Sequence, residues 1–493
     1  MNISPWTSGK KLVHLDLKGA PPRLEYLQKL IPLFARLGAN GLLMEYEDMF
    51  PYEGELKILR ANSHPPYSRE EILLIQEAAR ASGLDVIPLV QTFGHLEFVL
   101  KHKQFSELRE VSYCLGTLNP HRERSLQLVL EMVRQVMDLH PLARYLHIGA
   151  DEVYLLGQGD ESRQWLNVPG QDTHGLFLGH VTKVVKNIRE SWPNLKLIMW
   201  DDMLRGMSPN TLRDSGLVGH VQLMLWDYSP FLNVENTVRL METYSRAGLS
   251  EIWAASSFKG STSVTTCVTC TQRHVDNHEQ WLKVAAAQPS GAEIQGIAIT
   301  GWQRYDHLSI LCELLPVGLL SLAACLQTLR YGGFGKEAQT SVTEVLGVST
   351  MEVAHMQSPS SGGGPLFPGQ RLAELVVELT TMLQSEELRF ADTNMYAKGW
   401  FSLYHRQRRL VNPVIVQQIQ HQAMALLSSV DLKARAVWQE MTQLFPEATA
   451  HEWVQQHVSG VLEPLRTFVQ DAEVIMQEML PGNAQLPSNG LES

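Results

Sequence analysis

Eight short apolar runs recur along the first two thirds of the chain, and their alternation with amphipathic stretches restricts the fold more than any other feature. The runs are KLVHLDLK (11–18), GANGLLMEYE (38–47), DVIPLVQ (85–91), YLHIGADE (145–152), KLIMWDD (196–202), HVQLMLWDY (220–228), EIWAASSF (251–258) and GIAITGWQRYD (296–306). Their interiors are apolar on both faces, as strands are when they lie between a packed barrel interior and an outer layer of helices. Amphipathic stretches at 22–37, 69–82, 121–139, 174–191, 233–247 and 274–288 fall between most of them. Strand and helix alternating eight times predict an α/β fold, a (β/α)8 TIM barrel. The Leu- and Ala-rich stretch 308–330 is its expected closing helix.

Beyond residue 330 the pattern changes. YGGFGK is a turn-rich break, SPSSGGGPLFPGQ (358–370) reads as a surface loop or linker, and 371–386, 411–444 and 450–479 carry helical periodicity. The predicted organisation is a catalytic barrel over 1–335, a helical C-terminal region over 336–480 packed on it, and a flexible tail over 481–493. Within that region WFSLYHRQRR (400–409) is basic and aromatic and reads as a solvated helix face.

Charge and cysteine content narrow the function classes. The chain has 41 basic and 52 acidic residues, a net −11, which leaves no basic surplus for a phosphate backbone and argues against nucleic acid as a partner. Five cysteines, an odd and sparse set, fit reduced thiols better than a disulfide framework. Cys267 and Cys270 form a C-x-x-C pair, but no second pair follows at zinc spacing and the surrounding Ser/Thr-rich stretch reads as a loop. The start, MNISPWTSGKK, has no apolar core of signal-peptide length, and no run of about 18 apolar residues follows. A soluble protein of the cytoplasm, with the nucleus also open to it, and no membrane partner is therefore expected. Barrels often pair, so a homodimer is compatible with this organisation, although no heptad diagnoses one.

Each run is apolar at its start and polar or aromatic at its end: Asp16 and Lys18, Glu45 and Glu47, Gln91 and His95, Asp151 and Glu152, Trp200 to Asp202, Trp226 to Tyr228, Trp302 to Arg304. Barrel active sites sit at the carboxyl ends of the strands. A site lined by carboxylates and tryptophans suits a sugar, whose C–H face packs on an aromatic ring while its hydroxyls need polar partners. Glycosidic cleavage needs a protonated carboxylic acid at the leaving oxygen and a group that stabilises an oxocarbenium-like centre. Two adjacent carboxylates on one strand end do not easily flank the scissile bond from opposite faces. They can grip neighbouring atoms instead, one the leaving oxygen and the other an N-acetyl group on C2, whose carbonyl oxygen then acts as the internal nucleophile.

HIGADEV (147–153) resembles the H-x-G-x-D-E signature of glycoside hydrolase family 20, the β-N-acetylhexosaminidases. QTFGH (91–95) is similar to the family's P-G-H element after the third strand, and WDD, LWDY and TGWQRYD to the strands of its aromatic pocket; the likeness extends over essentially the whole chain. The resemblance implies retaining exo-hydrolysis of terminal β-linked GalNAc or GlcNAc in a glycan or glycoconjugate, through an oxazolinium intermediate and with no metal or other cofactor. It makes Glu152 the general acid/base, Asp151 the holder of the acetamido N–H, and Tyr228 the hydrogen-bond partner of the acetamido oxygen. Trp200, Trp226 and Trp302 would wall the N-acetyl pocket, and His95 would support the acid.

Two places depart from the family pattern. Many members hold the sugar hydroxyls with an Arg at the end of the first strand and a Glu in a W-x-E element at the last; here these places read Asp16-Leu17-Lys18 and Trp302-Gln303-Arg304. With Glu45, these residues are expected at the hydroxyl end of the sugar, and the exchanged charges predict a relaxed or reversed choice between gluco and galacto configurations, favouring GalNAc. Two other readings stand beside this one. Acidic residues at successive strand ends, Glu45, Asp151, Glu152, Asp201 and Asp202, also suit a divalent metal as in enolase-like barrels, and a non-catalytic sugar-binding barrel keeps the same aromatic floor.

Overall fold

The computed structural model describes residue 6 and residues 9–348 and 367–479. Eight parallel strands close into a barrel in chain order: β1 (Lys10–Asp16), β2 (Gly41–Glu45), β3 (Asp85–Leu89), β4 (Tyr145–His147), β5 (Lys196–Trp200), β6 (Val221–Trp226), β7 (Glu251–Lys259) and β8 (Glu293–Gly301). Closure is made by β1 and β8, whose register runs from Lys10 opposite Gly296 to Val13 opposite Ile299. All eight expected strands are present. Each begins within a few residues of its apolar run, and most end before the polar tail of that run, so the tails form the loops at the carboxyl rim.

The core fills the barrel. Leu12, Leu43, Ile87, Leu89, Ile198, Met224, Trp253 and Ala298 meet inside it, and Trp253 donates its indole N–H to Gln222 Oε1 at 2.7 Å. Side chains from the inward faces of neighbouring strands thus meet across the barrel interior. Four of the helices outside the sheet start at a short polar side chain that caps them. Ser68 and Glu71 form a capping box at Arg69–Ala81, and Asp172, Ser208 and Asn233 each accept a backbone N–H at the start of their helices.

The closing helix is Leu315–Tyr331 rather than 308–330. Residues 308–314 are loop, because Pro316 favours the first turn of a helix, where its missing N–H costs no bond. Lys336–Leu346 forms a further helix between Gly335 and Gly347.

A second compact unit comprises Arg371–Gln443 and the described residues from Glu447 to Met479. Its helices include Gln370–Leu383, Pro413–Leu444, Glu447–Val454 and Gly460–Glu478. The stretch expected as one helix over 450–479 is divided by a π-helical turn, Gln455–Ser459, with Pro464 one turn further on. Phe468 meets Phe390 and Phe401 edge to face in this unit, and Arg406 pairs with Asp471 at 2.7 Å. The expected tail, 481–493, and most of the linker lie outside the described residues. Among the described residues no helix is long and apolar enough to cross a membrane.

Candidate active site

A cavity of about 170 Å³ opens at the carboxyl ends of the strands. Its polar side chains, Lys18, Glu45, Gln91, His95, Asp151 and Glu152, follow β1 to β4; its aromatic ones, Trp200, Trp226, Tyr228, Trp302 and Tyr305, follow β5, β6 and β8. Closure of the barrel sets these two halves face to face. A cavity charged on one side and aromatic on the other complements a ring that is itself hydroxylated at its edge and apolar on its face.

The backbone after β4 positions the two adjacent carboxylates. The chain leaves the sheet after His147 and passes through left-handed conformations at Gly149 (φ 63°), Ala150 (φ 68°) and Glu152 (φ 42°), while His95 on the β3 loop has φ 52°. Such φ values at non-glycine residues cost on the order of 1–3 kcal/mol each and persist where surrounding contacts enforce them. Those contacts are visible. Gln91 accepts from Ala150 N at 3.3 Å and donates to Asp151 Oδ1 at 3.1 Å, and Asp202 Oδ2 accepts from Glu152 N at 2.9 Å. Two glycines have no room for a side chain: a Cβ on Gly149 would stand 2.0 Å from Gln91 Oε1, and one on Gly94 would stand 2.1 Å from the Asp151 carbonyl oxygen.

His95 Nε2 lies 3.1 Å from Glu152 Oε2 and 3.4 Å from Asp151 Oδ2, so one ring nitrogen serves both acids. Burial opposes a charged imidazole here, but Asp151, Glu152 and Glu97 outweigh it and push His95 up to about 10. The bond from His95 holds Glu152 below the usual carboxylate range, while burial raises Asp151 despite the nearby imidazolium. Burial and the charge of Asp151 raise Asp202 to about 7, and its Oδ1 accepts the Trp226 indole N–H at 3.2 Å. In the free site these environments favour the charge on Glu152 and leave the shared proton on His95, with burial acting on Asp151 in the opposite sense.

At the other end of the polar half Lys18 is 97% buried. Burial opposes its charge, yet Asp16 at 2.9 Å, Glu47 at 3.8 Å and Glu45 at 4.0 Å hold it well above the ordinary lysine range. Against its own burial, Glu45 is held down to about 2 by Lys18 and by His14, whose Nε2 is 2.9 Å away. Burial raises Glu47 to about 8. Replacing Lys18 by Met leaves these carboxylates without their cation, and the expected loss is about 3–5 kcal/mol of unfolding free energy. A depressed carboxylate stabilises the fold above its unfolded value and loses that contribution as pH falls through its folded one. The deficit of the variant should therefore be full near neutral pH and shrink as pH falls towards the folded value of Glu45, where the wild type loses the same contribution; urea titration near neutral pH showing a loss below about 1 kcal/mol would contradict this account.

Of the residues expected at a substrate, nine line the cavity: Glu152, Asp151, Tyr228, Lys18, Glu45, His95, Trp200, Trp226 and Trp302. Asp16 and Arg304 do not. Asp16 turns to Lys18 and accepts Gln303 N at 2.7 Å, and Arg304 lies behind the wall, donating to the carbonyl oxygens of Lys18 and Ser309. Both are buried and join β1 to the β8 loop. Gln91 and Asp202 sit at expected strand ends, and their use in fixing the acids appears only in three dimensions. Tyr305 and the β7-loop pair Gly260 and Ser261 also line the cavity and carry no recognisable motif.

The strand-end carboxylates do not gather around one point. Asp201 is held by Arg205 at 2.7 Å and by the Tyr244 hydroxyl at 2.9 Å, and Glu45 by His14, whereas His95, Asp151 and Glu152 present donor atoms within 4.8 Å of one another. An enolase-like arrangement, with carboxylates of successive strands converging, is not what these partners make. A larger depression of about 880 Å³ lies elsewhere, among charged side chains that pair locally, such as Arg134 with Glu131 and Asp138.

The sequence and the fold resemble those of known proteins. The profile described as "Glycosyl hydrolase family 20, catalytic domain" matches residues 30–303. The chain is 46% identical over 471 residues to a protein of Homo sapiens named Hexosaminidase D, covering 96% of each, and 51% identical over 342 residues to one of the same name from Bos taurus, covering 69% of this chain and 98% of that one. Among solved structures, a β-N-acetylhexosaminidase from Bacteroides fragilis aligns with a TM-score of 0.48 at 16% identity, over 64% of this chain and 65% of that one.

Proposed function

The chain belongs to glycosyl hydrolase family 20, and from that premise we propose that it is a retaining exo-β-N-acetylhexosaminidase whose substrate's own acetamido group is the nucleophile. The observation that carries this reading is the pair of neighbouring carboxylates, Asp151 and Glu152, sharing the single nitrogen of His95 opposite an aromatic half-wall. A cavity of about 170 Å³ closed below by the barrel core suits one terminal sugar ring and no continuing chain.

In the first step Glu152 gives its proton to the glycosidic oxygen as the C1–O bond breaks. The acetamido carbonyl oxygen closes on C1, and the ring so formed carries positive charge. Asp151, ionised, accepts the acetamido N–H and offsets that charge; the Tyr228 hydroxyl donates to the acetamido oxygen, and Trp200, Trp226 and Trp302 hold the acetyl group against water. The proton that His95 keeps in the free site is one short bond from Glu152, ready to pass to it once a glycosidic oxygen replaces solvent. In the second step Glu152 takes a proton from water, which opens the oxazolinium at C1 from the face the leaving group vacated, so configuration is retained. Lys18 and Glu45 receive the ring hydroxyls. Lys18 presents one ammonium where a guanidinium fork is the family habit, and this favours GalNAc over GlcNAc.

Paired chromogenic β-GalNAc and β-GlcNAc substrates test the reading. Turnover should survive a chelator and be faster on β-GalNAc. A preference for GlcNAc of about tenfold or more in kcat/KM removes the galacto assignment. Loss of turnover with chelator would restore the metal-dependent alternative, and absence of turnover on both substrates the binding-barrel one.

A further inference from the structure

Ser261, on the loop after β7, brings an aliphatic hydroxyl to a cavity wall whose other hydroxyls are the phenols of Tyr228 and Tyr305. Its backbone is fixed. Gly260 before it is left-handed, φ 74°, and gives its N–H to Glu313 Oε2 at 2.9 Å. A Cβ on that glycine would stand 2.0 Å from the Trp302 carbonyl oxygen, which already accepts Lys259 Nζ at 2.7 Å.

Behind the wall the hydroxyl enters a row of two further groups. Ser261 Oγ lies 2.6 Å from Ser257 Oγ, and Ser257 Oγ lies 3.2 Å from Nδ1 of His274, on the helix Thr271–Ala286. Ser257 and His274 are buried. Burial, with His278 and Arg273 nearby, pushes His274 down to about 3, so its ring is neutral and carries one hydrogen. Its Nε2 is buried and meets no partner among the described residues. A hydrogen there would be a buried donor with nothing to accept it, which folded proteins rarely leave. On Nδ1 the same hydrogen has Ser257 to receive it. Ser257 Oγ, accepting from the imidazole, turns its own hydrogen to Ser261, and the Ser261 hydrogen is left for the cavity. Groups in such a row polarise one another, so the last donor is strengthened as well as aimed.

We propose that Ser261 is a specificity-determining residue of this site: the row His274–Ser257–Ser261 points one O–H into the cavity, and a hydroxyl oxygen of the terminal sugar accepts it. The proposal rests on the hydrolase reading above and adds to it a fixed donor after β7, apart from Lys18 after β1 and Glu45 on β2. An isolated serine hydroxyl rotates and serves as donor or acceptor; here one use remains.

A chromogenic β-N-acetylhexosaminide and its 3-, 4- and 6-deoxy analogues test this. Ser261→Ala should lower kcat/KM on the parent substrate by about tenfold. On one of the analogues only, variant and wild type should be alike, because the oxygen that Ser261 meets is already gone. Ser257→Ala keeps the Ser261 hydroxyl but frees its direction, and should lose about threefold on the parent. NMR of protein carrying nitrogen-labelled histidine should show His274, the signal displaced in Ser257→Ala, with its hydrogen on Nδ1. Equal losses on all four substrates in Ser261→Ala, or a His274 hydrogen on Nε2, overturn the proposal. Wild-type protein inactive on the parent substrate overturns the hydrolase reading first, a result that differs from active wild type with equal losses in the variant.

Discussion

Replacing Glu152 by Gln is expected to lower kcat/KM on a β-N-acetylhexosaminide by about 10³-fold while leaving the melting temperature close to that of the wild type. The size follows from the loss of a positioned general acid, which contributes on the order of 10²–10⁴. The small effect on stability follows from position: the Glu152 side chain is 36% exposed, and Gln keeps its shape. A substrate whose leaving group needs no proton should lose less, because only protonation of the departing oxygen has been removed. Retention of more than about a tenth of the wild-type rate on an alkyl glycoside would remove Glu152 from the acid's role.

Asp151→Asn carries the second large effect, about 10²–10³ in kcat/KM, for a different reason. The amide can still meet the acetamido group by hydrogen bonding but brings no charge to balance the oxazolinium. The variant should also change the pH profile. Burial raises Asp151, so in the wild type the rate falls as pH drops through its elevated value. Asn does not titrate, and that acidic limb should disappear from kcat/KM. A variant with the limb intact would show that another group, such as Asp202, sets it.

The sequence made the barrel legible for a simple reason: strands covered on both faces are apolar along their whole interior, and eight such runs have few other arrangements. Strand ends were less legible. The run YLHIGADE continues to Glu152, yet pairing stops at His147, since the left-handed residues that turn Asp151 and Glu152 into the cavity are enforced by Gln91 and Asp202 from other strands. The candidate pair, Asp151 and Glu152, was visible because adjacency is a property of sequence. Asp16 and Arg304 show where such reasoning stops. Both occupy strand-end positions, but whether a side chain faces the cavity or a neighbouring loop depends on contacts across the β1–β8 seam, such as Asp16 with Gln303 N. The helix Lys336–Leu346 did carry a local signal, a glycine at each end.

The left-handed backbone at His95, Ala150 and Glu152 has a consequence for how such a chain would age if its chemistry were no longer needed. Gly or Asn at these places relieves local strain, so a descendant released from hydrolysis gains stability by discarding the histidine and the acid first. Drift would therefore erase the reactive groups before it touched the barrel that carries them.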